Sequence, residues 1–286
     1  MSKFVLSAFA DEISPDLKTQ MEVLESYGIE YIEIRGVNGS NLTKYTLDEV
    51  KIIKKKLDER NFKLSSIGSP IGKINITDVF ESHLKLFKHT LEIAKIMETK
   101  YIRVFSFFIP EGEDAIQYRN MVMDRWIQFV RLAEESGIIL LHENEKGIYG
   151  DNPGRCLDLI ETANSPCVKA VFDPANFVQC GVDAYPNAFE LLKKYVEYVH
   201  IKDALSSDHR VVPAGFGDGK VKEVLRALYN SGYEGFLSLE PHLGDFVGFS
   251  ELESSSPANK LPEGGPKQFA IALEALQKIL NEIQGT

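Results

Sequence analysis

The chain has 286 residues, 44% hydrophobic and 26% charged, with a net charge of −10. That composition can fill a large core, and so acidic a surface repels phosphate backbones, which excludes nucleic acid as an expected partner. Cys156, Cys167 and Cys180 form no CxxC pair and are odd in number, as in a reducing cytoplasm. No apolar run approaches the roughly 18 residues of a membrane span, so no membrane partner is expected.

In chain order, short β-type runs alternate with amphipathic helical patterns. The opening MSKFVLSAFADE reads as a first strand, because its apolar stretch is too short, and its charged leader too slight, for a signal peptide. Strands are expected near 3–9, 30–35, 62–67, 100–106, 138–143, 168–173, 197–202 and 235–240. Helices are expected near 15–27, 46–60, 78–97, 114–136, 153–163, 184–195, 219–231 and 266–283. In the third helix, Val79, Leu84, Leu86, Phe87, Leu91, Ile93, Ala94 and Met97 share one side. His83 and His89 of that helix are expected in solvent. Gly28, Gly137 and Gly232 each stand where a helix must turn into the next strand, a place for the left-handed conformation. Eight such units predict an α/β fold, a (β/α)8 TIM barrel in a single domain over 1–286. One stretch breaks the rhythm: residues 241–265, rich in Gly, Ser and Pro, follow the last strand. A loop of that length is expected to be functional or disordered, here a lid or a subunit contact carrying Phe246 and Phe249 ahead of plain disorder, with a homodimer as one outcome.

Four of the strands close on a metal-type ligand. GIILLHE ends on Glu143, VKAVFD on Asp173, VEYVH on His200 and GFLSLE on Glu240. Singly, each has a bland reading: a strand-end salt bridge, a turn at Asp173-Pro174, an interior histidine. Together they occupy the same structural position four times, at the mouth where barrel active sites lie. Three carboxylates and one imidazole predict one divalent ion, Mn²⁺ or Mg²⁺ first, Co²⁺ or Zn²⁺ next. Further polar groups at strand ends are candidate substrate contacts: Glu33, Arg35, Lys73, Arg103, Asn176, Lys202, Asp203, His209 and Arg210. Alternation along a strand turns His142 away from the side that Glu143 faces, into the layer between strand and helix. PIGK lacks the phosphate-loop frame, GFGDGK is no dinucleotide fingerprint, and no GxSxG is present.

At these residues the chain resembles the xylose-isomerase-like TIM-barrel superfamily, which holds sugar phosphate isomerases and epimerases, inosose dehydratases and the family 2 AP endonucleases of the endonuclease IV branch. YIEIRG, LHEN, FDPAN, VHIKD and GYEGFLSLE are similar to its signatures at strands 2, 5, 6, 7 and 8. The resemblance implies that Glu143, Asp173, His200 and Glu240 bind one divalent metal, and that Glu143 and Glu240 also move protons. Two departures narrow it. Many members carry Asp-x-x-His on strand 6, where this chain has Asp173 and Asn176. The extra histidines of the three-zinc endonuclease branch are absent from strands 2 to 4.

The expected activity is a metal-dependent isomerase or epimerase of a small carbohydrate, with carbohydrate metabolism in the cytoplasm as its setting. The metal would act as Lewis acid, with one of Glu143 and Glu240 as base and the other as acid. The alternative is a lyase of the inosose-dehydratase kind, because HIKD resembles those members. A zinc nuclease or a non-catalytic sugar-binding barrel stands further off.

Overall fold

The computed structural model describes residues 3–247, 249 and 261–285. Its eight main strands are β1 (Lys3–Ala8), β2 (Tyr31–Ile34), β3 (Lys63–Gly68), β4 (Tyr101–Val104), β5 (Ile139–Glu143), β6 (Val168–Phe172), β7 (Val196–Ile201) and β8 (Glu234–Leu239). They pair in parallel in the order β1-β8-β7-β6-β5-β4-β3-β2. β1 and β2 come side by side, so the sheet is a nearly closed barrel. Ala8, Leu239 and Ile201 lie level across three adjacent strands. The residues just beyond them therefore share one rim.

The helices are α1 (Leu17–Ser26), α2 (Leu47–Asp58), α3 (Phe80–Met97), α4 (Arg119–Ser136), α5 (Pro153–Ala163), α6 (Pro174–Gln179), α7 (Phe189–Leu192), α8 (Val221–Asn230) and α9 (Pro266–Gln284). Local chemistry starts and stops them. Thr46 and Glu49 form a reciprocal capping box at α2. Asn152 caps α5 ahead of Pro153, which has no N–H to leave unsatisfied. Gly137 ends α4 at φ 67°, a conformation that strains any residue with a Cβ.

Each strand has two buried faces with different contents. Outward residues such as Ile32, Val104, Leu140, Phe172, Val199 and Leu237 pack against the helices in the main core. Inward residues form a small apolar floor of Tyr101, Leu141, Val171 and Tyr198. Above it lies a polar layer in which Ser65 Oγ is 2.6 Å from Ser7 Oγ and 2.8 Å from the Tyr198 hydroxyl. Above that is the rim. His142 takes the outward side, as alternation requires, edge-on to Trp126 at 5.6 Å.

Some expectations are corrected. Val79 is 73% exposed, because it caps α3 from outside and the helix begins at Phe80. His83 is buried, and its Nε2 accepts the Gly72 N–H at 2.7 Å. His89 is half-buried, with Nε2 2.8 Å from the Tyr45 carbonyl oxygen. The expected helix over 184–195 is broken into a turn, Ala184–Ala188, and the short α7, because Pro186 cannot continue a helical ladder. Helix α6 was not foreseen; it grows directly from Asp173, whose carboxylate accepts the Asn176 N–H. Two small hairpins, Gly36–Asn41 and Asp203–Val212, rise from the rim after β2 and β7. Of the loop after β8, residues 248 and 250–260 lie outside the described residues. Among the described residues no helix is long and apolar enough to cross a membrane.

Candidate metal centre

Strand geometry brings the four strand-end residues to one point. Glu143 is the last residue of β5, Asp173 follows β6, His200 is the penultimate residue of β7, and Glu240 follows β8. All four are at most 2% exposed. One donor atom from each lies within 4.8 Å of the others. His200 Nδ1 faces the three carboxylates, 3.0 Å from Glu143 Oε1, 3.6 Å from Glu240 Oε2 and 4.0 Å from Asp173 Oδ2. Its Nε2 faces the other way, 3.2 Å from Glu33 Oε2. A proton on Nε2, donated to Glu33, leaves Nδ1 as the free ligand nitrogen.

These residues fit a divalent ion. Bonds of about 2.1 Å imply donor–donor edges of roughly 3–3.5 Å; His200 Nδ1 meets Glu143 in that range, with Glu240 just beyond it at 3.6 Å. The charges leave room for one as well. The mouth buries Asp11, Glu12, Glu33, Glu143, Asp173 and Glu240, against only Arg35, Arg103 and Lys202 as fixed cations. Six carboxylates outnumber the three permanent cations, and protons on His200 and His242, both raised in affinity, make up only part of the difference; buried charge is costly unless balanced.

The same crowding sets the proton affinities. Burial alone would raise Glu143, but His200 and Arg103 outweigh it and hold its carboxyl down at about 2. Burial opposes ionisation of Glu240 too, and Lys202 and His242 carry it well below the usual carboxylate range. Asp173 goes the other way. Burial, with Glu143 and Glu240 beside it, prevails over Lys202 and lifts it to about 6. Burial lowers the affinity of His200, but Glu143 and Glu33 reverse this and raise it well above the ordinary imidazole value.

The other expected site residues divide in two. Glu33, Arg35, Arg103, Asn176 and Lys202 join the cluster. Arg103 donates to Glu143 Oε2 at 3.1 Å. Asn176 Nδ2 donates to Glu143 Oε1 at 3.2 Å. Lys202 Nζ lies 3.0 Å from Glu240 Oε2 and 3.2 Å from Asp173 Oδ2. Arg35 forks onto Asp11 at 2.8 and 3.1 Å, reaches Glu12 at 3.2 Å and Glu240 at 3.0 Å, and lies between the Phe9 and Phe246 rings. Glu33 is fully buried behind His200, a place from which it can orient the imidazole. Lys73 stands further out, paired with Glu145 at 3.0 Å and lying 4.4 Å from the Phe105 ring centre.

Asp203, His209 and Arg210 are placed elsewhere. The Asp203 carboxylate is wrapped by the N–H groups of Gly215, Gly217 and Gly219 at 2.9, 3.0 and 2.8 Å, so it fastens the loop that opens α8. His209 and Arg210 are exposed at the tip of the Asp203–Val212 hairpin.

Asp11, Glu12 and His242 are the mouth residues that sequence reasoning missed. The His242 N–H donates to Glu12 at 2.7 Å, and its Nε2 is 3.5 Å from both Glu12 and Glu240. Glu12, Glu240 and His242 could group around a second ion. Arg35 already sits on Glu12 and Glu240, however, and supplies the positive charge there. The available signal was position: AFADE follows β1 and EPH follows β8 at the same rim as the ligands.

A barrel with one such donor set at the carboxyl end of its strands defines the class. The sequence profile of the family described as "Xylose isomerase-like TIM barrel" matches residues 21–268, and the chain belongs to that family. Over 119 residues it is 33% identical to a 2-epi-5-epi-valiolone 7-phosphate 2-epimerase of an Actinoplanes species, a match that spans 41% of this chain and 42% of that enzyme. It is 25% identical over 266 residues to an inosose dehydratase of Clostridium perfringens, covering 82% of this chain and 86% of that one. Among solved structures, an L-ribulose 3-epimerase superposes with a TM-score of 0.76 at 16% identity, covering 99% of this chain and 96% of that one. The IolI protein, solved with a binding zinc atom, does so at 0.75 and 18%, covering 98% and 99%. These two likenesses establish the fold.

Proposed function

We propose that the protein is a divalent-metal-dependent isomerase or epimerase of a small sugar or sugar derivative. The observation that carries this reading is the pair Glu143 and Glu240, two buried carboxylates on either side of His200 in one four-residue donor set. Glu143, Asp173, His200 and Glu240 would hold the ion, which supplies Lewis acidity to a carbonyl and its neighbouring hydroxyl. The epimerase and dehydratase relatives are consistent with chemistry next to a carbonyl.

The chain's own residues then handle the protons. Glu143 and Glu240 are both held ionised at neutral pH, so either can remove the C–H proton next to the carbonyl. The electron pair passes into an enediolate. The proton comes back from the other glutamate, which takes one up from solvent or from the nearby Lys202, while the glutamate that acted as base gives its proton up to solvent before the next turnover. Delivered to the opposite face of the same carbon, that proton gives an epimer; delivered to the neighbouring carbon, it gives an isomer. Arg103 and Asn176 hold Glu143 in place through both steps. The substrate would enter past Arg35 and Phe246, where a cavity of about 170 Å³ opens between the Gly36–Asn41 hairpin and the start of the loop after β8. That loop would serve as the lid, and a small carbohydrate rather than nucleic acid as the ligand.

A second reading is favoured by Lys202 and by the length of the match to inosose dehydratase. In it the same enediolate expels a β-hydroxyl, which leaves as water after taking a proton from Lys202. Incubation with keto-sugars and inososes in D₂O, followed by NMR and mass spectrometry, separates the two. Deuterium at the carbon next to the carbonyl with no loss of mass supports the isomerase. Loss of 18 mass units supports the lyase. Neither change in any substrate, with metal bound, would sink both.

A further inference from the structure

Among the cations of the mouth, Lys202 differs in what it holds. Arg35 is occupied mainly by Asp11 and Glu12, and Arg103 divides itself between Glu143 and the Ser69 carbonyl. Lys202 is 3% exposed, and its ammonium lies on Glu240 Oε2 at 3.0 Å and Asp173 Oδ2 at 3.2 Å. Those are the same two oxygens that face His200 Nδ1. Asp173 Oδ2 makes no hydrogen bond, although its other oxygen accepts the Asn176 N–H. One lone-pair-bearing oxygen is thus kept open toward the donor set, with only the lysine charge beside it.

We infer that Lys202 is a resident cation that competes with the metal for Asp173 Oδ2 and Glu240 Oε2. The inference rests on the four-residue metal site proposed above. The ammonium stabilises the two carboxylates while no ion is bound. Loading a divalent ion draws the same oxygens onto the metal, and repulsion between two cations sharing them drives the ammonium off. Metal affinity is therefore held below what the four ligands alone would give, and a site this acidic folds without needing an ion first.

The test uses the full chain stripped with a chelator and titrated with Mn²⁺ by calorimetry, alongside thermal melts of stripped and loaded protein. Lys202→Met is expected to bind Mn²⁺ about tenfold tighter or more, to melt lower than the wild type when stripped, and to gain more from metal. Lys202→Arg keeps the charge and is expected to bind no more tightly than the wild type. Where Lys202→Met does not fold when stripped, Lys202→Gln carries the titration, because its amide still donates to both carboxylates without the charge. Wild-type or weaker Mn²⁺ affinity in the neutral variants overturns the inference, and so does tightening in Lys202→Arg equal to that in Lys202→Met. Because the readout is metal affinity, it fails or holds independently of which sugar reaction is found. An absence of Mn²⁺ binding in the wild type would instead remove the metal site itself.

Discussion

The two halves of the barrel mouth are built for different work. The half from β5 to β8 supplies Glu143, Asp173, His200 and Glu240, whose donor atoms converge within 4.8 Å. The half from β1 to β4 supplies Asp11, Glu12, Glu33, Arg35 and Arg103, which bind to those ligands or to one another. One half can hold an ion; the other braces Glu143, His200 and Glu240 through Arg103, Glu33 and Arg35. Ligand geometry at a strand end comes from the strand itself, whereas its protonation is set by burial and by neighbours from both halves, Lys202 and His242 on one side and Arg103 and Glu33 on the other.

Changes in the ligand half should have the largest effects. Glu240→Gln would remove the proposed ligand charge and the proposed proton carrier together, and kcat should fall by about 10²–10⁴-fold; steady-state rates on metal-saturated enzyme measure it. Full activity with metal bound would remove Glu240 from the chemistry. In the supporting half, Glu33→Gln loosens the hold on His200, and Mn²⁺ affinity should drop by about 10–100-fold with the fold intact. Calorimetry reads this, and an unchanged affinity would mean that Glu33 does not orient the imidazole.

The histidines sharpen the same contrast. His200, among carboxylates, is pushed up, whereas His83 and His142, in the apolar layer behind the strands, are pushed down to about 4, chiefly by burial. A depressed imidazole takes up its proton in the unfolded chain first. Its contribution is complete above about 6.5 and is lost as pH falls toward 4, about 3 kcal/mol for each. Urea melts should therefore show stability falling over that window, less steeply in His142→Phe; equal slopes would contradict it. The smallest effect is expected at the exposed hairpin tip. His209→Ala and Arg210→Ala should leave kcat/KM within about twofold, as surface changes away from a site do. A larger loss would bring that hairpin into the substrate path.

The ligand half was legible in the sequence because each ligand ends an apolar run, and a strand carries its last side chain to the rim. The supporting half was harder to read. Glu33 lies inside a strand, and only the barrel's closure brings it behind His200. Asp11, Glu12 and His242 sit in irregular segments, where no periodicity fixes direction. The glycines of GFGDGK do make an anion cradle, but the chain fills it with its own Asp203, a contact set by how the loop folds back. His83 could have been placed, since it stands four residues before Phe87 on the buried face of α3. The break at Pro186 was likewise written in the sequence.

The central claim is that the four strand-end residues together hold one divalent ion. Elemental analysis of the purified chain tests it most directly, beside His200→Ala and Asp173→Ala. The account predicts one Mn or Mg per wild-type chain and loss of that ion in both variants. Three zinc atoms per chain, or an ion retained at full occupancy in both variants, would contradict it.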